Sequence, residues 1–118
     1  FVSEEEFREY LLAVDLGVQL RISPQLGVSG PLSDLAAFGT RAVASSGLAI
    51  DVDAPEYIHH LPESVSALLV AEAIESMLES DFDPSRIEPE RIAYLSGKQP
   101  QLYAQKLLDY LETIAGVK

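Results

Sequence analysis

The C-terminal half of the sequence places apolar residues at the spacing of amphipathic helices, and this pattern constrains the fold most. Residues 65–80 put apolar side chains on one side and glutamates on another. Residues 100–116 repeat the pattern between Pro100, which suits a first helical turn, and Gly116, which suits a helix end. The apolar stripe of this last segment contains Tyr103, Leu107, Tyr110 and Ile114. We therefore expect helices to dominate the chain.

Prolines set the other boundaries that we predict in this half. Pro62 fits the first turn of the helix that continues to Ser80. Pro89 opens a shorter helix that runs to about Leu95 and ends at Gly97. Between these two helices, the acidic and proline-containing residues 81–85 predict a turn.

The N-terminal half mixes helical and strand-like patterns. Ser3 and Glu6 form a capping-box sequence, which predicts a helix start. Residues 14–22 alternate apolar and other residues, and we expect Gly17 to end the helix and leave Val18 onwards extended. The alternative is that residues 14–22 stay helical.

A loop, a helix and a second strand are expected to follow. Residues 23–31 are rich in Gly, Pro and Ser and predict the loop. Ser33 or Asp34 caps a helix that runs to about Ala44. Residues 48–53 alternate again and predict a strand that pairs with the first.

Length and pattern together give the predicted fold class. A chain of 118 residues fits one domain, 1–118, with the alternative that it is a fragment of a larger protein. We predict a mainly α, small single domain of four to five helices with a short two-stranded β element (α+β). The alternative is an all-α bundle. Cysteine is absent from the sequence, which excludes disulfides and thiolate metal sites.

Acidic residues are concentrated in one segment and limit the classes of partner. The net charge is −11, and residues 51–90 contain eleven acidic residues against Arg86 alone. Nucleic-acid backbones and anionic membranes attract Lys and Arg instead, so we expect no direct nucleic-acid binding and no membrane binding. No basic, apolar leader opens the sequence, and we expect a cytoplasmic location.

One short stretch carries residue types that could bind a metal. Asp51, Asp53, Glu56, His59 and His60 are candidate ligands because carboxylates and imidazoles bind zinc, manganese or iron. The i, i+3 spacing of Glu56 and His59 occurs once, and the two zinc-site patterns His-Glu-x-x-His and His-x-His are absent. The preferred interpretation is therefore a polar strand end and loop, with no cofactor and no catalytic residue assigned.

The helices also carry candidate partner-binding residues. Glu72, Glu75 and Glu79 share one helix face, and Tyr103 and Tyr110 lie a heptad apart on the last helix. For the apolar residues of the last helix we favour a different interpretation, in which they fill the core of the domain.

These patterns predict a non-enzymatic protein–protein interaction or regulatory module, such as a small subunit of a larger complex. Its expected partner is another protein with a basic surface, and a homodimer is a further expectation. The alternative function is a small metal-binding protein or metal-dependent hydrolase that uses residues 51–60.

Overall fold

The structure, a computed structural model, describes residues 2–21 and 29–116. The described residues form six helices and three strands, in the order α1 (Glu4–Ala13), β1 (Gly17–Gln19), α2 (Gly30–Phe38), β2 (Ala42–Ser45), α3 (Ser46–Asp51), β3 (Ile58–Leu61), α4 (Ala67–Glu79), α5 (Pro84–Gly97) and α6 (Pro100–Ala115). The prediction of a mainly α fold with a small β element is confirmed, with one helix and one strand more than expected.

Helix α1 begins as its sequence predicts. The Ser3 side chain accepts a hydrogen bond from the Glu6 N–H, and the Glu6 carboxylate accepts one from the Ser3 N–H. This capping box satisfies two N–H groups that the first turn leaves unpaired. The chain becomes extended at Val14 and enters β1, so the alternative of a helix through residues 14–22 is wrong. The predicted break is present, but the helix ends at Ala13 and Gly17 is the first residue of β1 rather than the helix end.

The three strands form a parallel sheet in the order β1-β2-β3. Parallel neighbours need a crossover, and α2 and α3 supply the two crossovers. The central strand β2 is buried along its whole length. Its sequence Ala-Val-Ala-Ser is small and mostly apolar, as expected for a strand with helices packed against it.

Three predicted boundaries in this half are wrong. Residues 48–53 form most of α3 and a turn instead of a strand, and the strand that pairs with β1 is β2. Helix α2 begins at Gly30, where the Ser29 side chain accepts from the Leu32 N–H, and it ends at Phe38 rather than near Ala44. Most of the predicted loop 23–31, and Ile22 of the predicted strand, lie outside the described residues.

Two proline-based boundaries in the C-terminal half are also wrong. Pro62 follows β3, and α4 begins only after Ser66, whose side chain accepts from the Leu69 N–H. Helix α5 begins at Pro84 and is capped by Asp83, so Pro89 lies inside it. Proline lacks the N–H that would bond within the helix, and α5 continues across that gap. The predicted boundaries of α6 are confirmed at Pro100 and Gly116.

The buried core lies in the N-terminal half of the chain. Within the described ranges, all buried hydrophobic residues fall between Leu11 and Leu61, and α4, α5 and α6 contain no fully buried residue. The radius of gyration is 16.6 Å, whereas a compact chain of this length is expected to have a radius of gyration of about 13.5 Å. The longest extent is 53 Å against 32 Å in the other two directions. The molecule is elongated because its C-terminal helices add length without adding core.

Candidate functional site

The candidate metal ligands are spread along α3, a turn and β3. Asp51 is the last residue of α3, and Asp53 follows in a left-handed conformation with φ of 54°. Glu56 lies in the turn, and His59 and His60 are consecutive residues of β3. Consecutive side chains of a strand point to opposite faces of the sheet. The two imidazoles are therefore directed away from each other, and both are exposed.

No metal-binding group forms among these residues. Across the described residues, the structure brings no three His, Cys, Asp or Glu side chains close enough together to hold an ion. The single Glu56-x-x-His59 spacing falls on a turn and strand, where i, i+3 positions do not share a face as they do on a helix. The geometry thus offers the metal-binding alternative no ligand set within the described part of the chain.

A shallow cavity of about 360 Å³ lies between this turn and α5. Asp53, Glu56 and Glu90 contribute carboxylates to its lining, and Lys98 contributes a cation. The Lys98 ammonium lies 4.0 Å from the Asp53 carboxylate and 5.3 Å from the centre of the Tyr94 ring. Since Asp53 is almost fully exposed, this ion pair contributes little to stability. The cavity is an open surface feature, lined by apolar as well as charged groups, without an enclosed reaction centre.

The carboxyl end of the parallel sheet, where α/β folds commonly bind ligands, is closed by the chain's own groups. The Ser45 hydroxyl accepts a hydrogen bond from the Arg21 N–H at 2.8 Å and donates one to the Arg21 carbonyl at 3.3 Å. Next to it, the Glu63 carboxylate accepts from the Gly47 N–H. These contacts were not anticipated, because the sequence predicts a helix to about Ala44 where the structure has β2.

Two contacts fix the crossover α2 against the rest of the fold. The buried Tyr57 hydroxyl donates to the Ala36 carbonyl, and burial raises the pKa of Tyr57 to about 12. Arg91 of α5 donates to the Ala37 carbonyl at 3.2 Å and pairs with Glu88 at 2.8 Å. The hydrogen bonds from Arg91 lower the pKa of the Glu88 carboxyl. Tyr57 thus ties α2 to the turn before β3, and Arg91 attaches α5 to α2, so both groups are structural in character.

The predicted acidic face is present on α4. Glu72, Glu75 and Glu79 are exposed and lie at i, i+3 and i+7, which is one side of a helix. Helix α4 contains no basic residue, and Glu79 is at its C-terminal end, where the helix dipole disfavours negative charge. Like charges at these spacings repel by about 0.2–0.5 kcal/mol per pair. The charges of this face therefore do not stabilise α4, and the helix depends on the rest of the fold for its stability.

Helix α6 has an apolar face that the described residues leave uncovered. All residues of α6 are exposed, and no other helix or strand of the described chain packs extensively against it. On a helical projection the six large apolar residues from Tyr103 to Ile114 span roughly 160°, given 100° per residue, and Leu102 lies outside this arc. The exposed fractions on this face are 70% for Tyr103, 46% for Leu107, 50% for Leu108, 63% for Tyr110, 53% for Leu111 and 65% for Ile114.

The favoured expectation that these residues fill the core is wrong. The apolar stripe was identified correctly, but a helical stripe does not reveal what it packs against. The core is completed by residues 11–61, so α6 is not needed to close it. A 16-residue helix with no packed face is marginal in water, because helices in proteins gain most of their stability from packing. Whether Tyr103 and Tyr110 bind a partner remains a prediction, and their exposure is compatible with it.

Comparisons of this chain with protein-family models, curated proteins and solved structures found no match. No helix in the described ranges 2–21 and 29–116 has both the length and the apolarity to cross a membrane.

Proposed function

We propose that this chain is a non-enzymatic protein–protein interaction or regulatory module that acts as a small subunit of a larger complex. The observation that carries the proposal is the apolar face of α6, whose tyrosines, leucines and isoleucine are all at least two-fifths exposed. An apolar patch of this kind, rimmed by polar residues, is typical of an interaction site. Tyrosine suits such a site because its ring gives apolar contact and its hydroxyl remains solvated.

The acidic face of α4 supports a second property of the module, a preference for basic partners. Because Glu72, Glu75 and Glu79 repel one another and lack cations on their own helix, a basic surface would relieve that repulsion. Contacts of this kind are screened by salt. Binding of a basic partner through α4 should therefore weaken as salt is raised, whereas contact through α6 should persist.

Site-specific photo-crosslinking tests the role of α6. A benzophenone amino acid replaces Leu107 on the apolar face, and the matched control replaces Gln105 on the polar face of the same helix. In cells that express the chain, Leu107→benzophenone should give a discrete covalent adduct with a protein, and the Gln105 control should give little. Equal labelling from both positions, or none from either, would reject α6 as the contact surface.

A triple substitution tests the acidic face separately. Glu72→Gln, Glu75→Gln and Glu79→Gln keep the size of the side chains and remove three charges. Binding to a lysine-rich peptide at low salt should weaken by about 10-fold, which corresponds to about 1.4 kcal/mol. Unchanged binding, or binding that resists salt, would show that α4 does not contribute the electrostatic contact.

A further inference from the structure

We propose that the apolar face of α6 is covered by a second copy of this chain, with the two α6 helices packed antiparallel about a two-fold axis. This inference rests on the proposed function, because it names the partner of the same face. It concerns four residues, here called the α6 seam: Tyr103, Leu107, Tyr110 and Ile114.

The spacing of the seam is that of a coiled coil. Successive members are four, three and four residues apart, which places them at alternating d and a positions of a heptad. Both d positions are tyrosine, and both a positions are aliphatic. All four side chains are about half-exposed or more, so no element of the described chain provides the holes into which these side chains would pack.

The order of the residues makes the seam complementary to itself in one orientation. In an antiparallel pair centred between residues 108 and 109, Tyr103 faces Ile114 of the second copy and Leu107 faces Tyr110 of the second copy. Each of the four layers then combines one ring with one smaller aliphatic side chain. A parallel pair would instead oppose like residues, ring against ring and aliphatic against aliphatic. An isologous contact of the antiparallel kind closes at two copies.

The charges around the seam permit this pairing although each copy carries a net charge of −11. The flanking e and g positions hold Ala104, Lys106, Leu111 and Thr113, and none of them is acidic. The α6 carboxylates, Asp109 and Glu112, lie at c and f on the polar side. No carboxylate would be buried by pairing, and the seam offers a basic partner no anions to contact. The repulsion between two acidic copies is long-range and is weakened by salt.

The exposed area is near the minimum for a specific dimer. The exposed parts of the two tyrosines amount to roughly 130 Å² each. The exposed parts of Leu107, Leu111 and Ile114 add roughly 70 Å² each, taking a whole aliphatic side chain as about 130 Å². Two copies would bury on the order of 1,000 Å², at the lower limit of biological interfaces. The dimer should therefore be reversible and dissociate on dilution.

Sedimentation velocity over a concentration series, from about 1 µM to about 500 µM, tests the association. The wild-type chain should shift from monomer to dimer, and the association should strengthen as salt is raised. The double substitution Leu107→Asp with Ile114→Asp should weaken it at least about 100-fold. The control, Gln101→Asp with Gln105→Asp, adds the same charge to the polar side of α6 and should leave dimerisation nearly unchanged. A wild-type chain that remains monomeric throughout would overturn the proposal.

A cysteine experiment tests the orientation directly, since the sequence has no cysteine of its own. A Leu107→Cys chain and a Tyr110→Cys chain are oxidised separately and as a mixture. The antiparallel pair predicts that the mixed 107–110 disulfide forms fastest, because only facing residues reach disulfide distance. Preferred 107–107 and 110–110 products would refute the antiparallel arrangement. If the photo-crosslinker at 107 captures only a different protein, the proposed function stands and the second-copy inference fails.

Discussion

Arg41 joins the sheet to the acidic helix α4, and its replacement should loosen that helix. The residue lies directly before β2, and its Nη1 donates to the Met77 carbonyl at 2.6 Å and to the Ser80 hydroxyl at 3.3 Å. Its guanidinium carbon also lies 4.2 Å from the centre of the Phe82 ring. The Met77 carbonyl is in the last turn of α4, where carbonyls lack a backbone partner within the helix, and it also accepts from the Ser80 hydroxyl at 2.8 Å. Arg41 therefore caps α4 from outside.

The magnitude follows from these contacts. A hydrogen bond from a charged donor contributes about 1.5–3 kcal/mol to the free energy of unfolding. The stacking on Phe82 adds about 0.5–1 kcal/mol, since that ring is partly exposed. The Arg41 Nε is buried without a hydrogen-bond partner, which offsets part of this gain. We expect Arg41→Met to lower the free energy of unfolding by about 2 kcal/mol and Tm by roughly 8 °C for a chain of this length.

Urea unfolding and amide hydrogen exchange measure the effect. Arg41→Met should lower the free energy of unfolding and speed exchange in the last turn of α4, and Arg41→Lys should lie between it and wild type. Arg86→Met is the matched control, since Arg86 is an exposed residue of α5, and it should change stability by less than about 0.5 kcal/mol. An Arg41→Met chain as stable as the control, with unchanged exchange in α4, would refute this account.

Three further perturbations have defined outcomes. Because burial raises the pKa of Tyr57 to about 12 from an ordinary value near 10, its stabilising contribution should be intact below about pH 10 and lost as pH rises to about 12. Tyr57→Phe should reduce this alkaline loss in pH-dependent urea unfolding, and the exposed control Tyr110→Phe should not. Gly39→Ala should lower Tm by roughly 4–8 °C in thermal unfolding, because residue 39 has a φ of 72° that L side chains adopt at a cost of about 1–2 kcal/mol. Replacing His59 and His60 by alanine should leave the metal content and the effect of EDTA on Tm unchanged, and a loss of stoichiometric metal would restore the metal hypothesis.

The sequence predicted the elements whose signals are local. The capping box at Ser3, the apolar stripe of α4 and the proline and glycine that bound α6 depend on neighbours a few residues apart. The parallel sheet depends on distant pairing. Residues 42–44 are uniformly small and apolar because β2 is buried along its whole length, so they show no alternation and were assigned to the end of a helix.

For the candidate sites too, features that depend on neighbouring residues were predicted and features that depend on the arrangement in space were not. Periodicity predicted that Tyr103 and Tyr110 share a helix face, but no pattern in the sequence states whether that face is covered. The metal hypothesis treated Asp51 to His60 as one cluster because the residues are close in sequence. A helix end, a turn and a strand separate them in space, and strand geometry directs His59 and His60 to opposite faces.

Because the core is complete by Leu61, the stability of the fold depends little on the side chains at the outer surface of α6. A substitution at Tyr103 or Leu107 disturbs no buried neighbour in the described chain, so it should alter what the helix recognises at little cost to folding. Surfaces of this kind can change quickly under selection. New binding preferences could arise in α6 while the sheet and its crossovers stay the same, which also makes this helix a practical place to engineer new specificity.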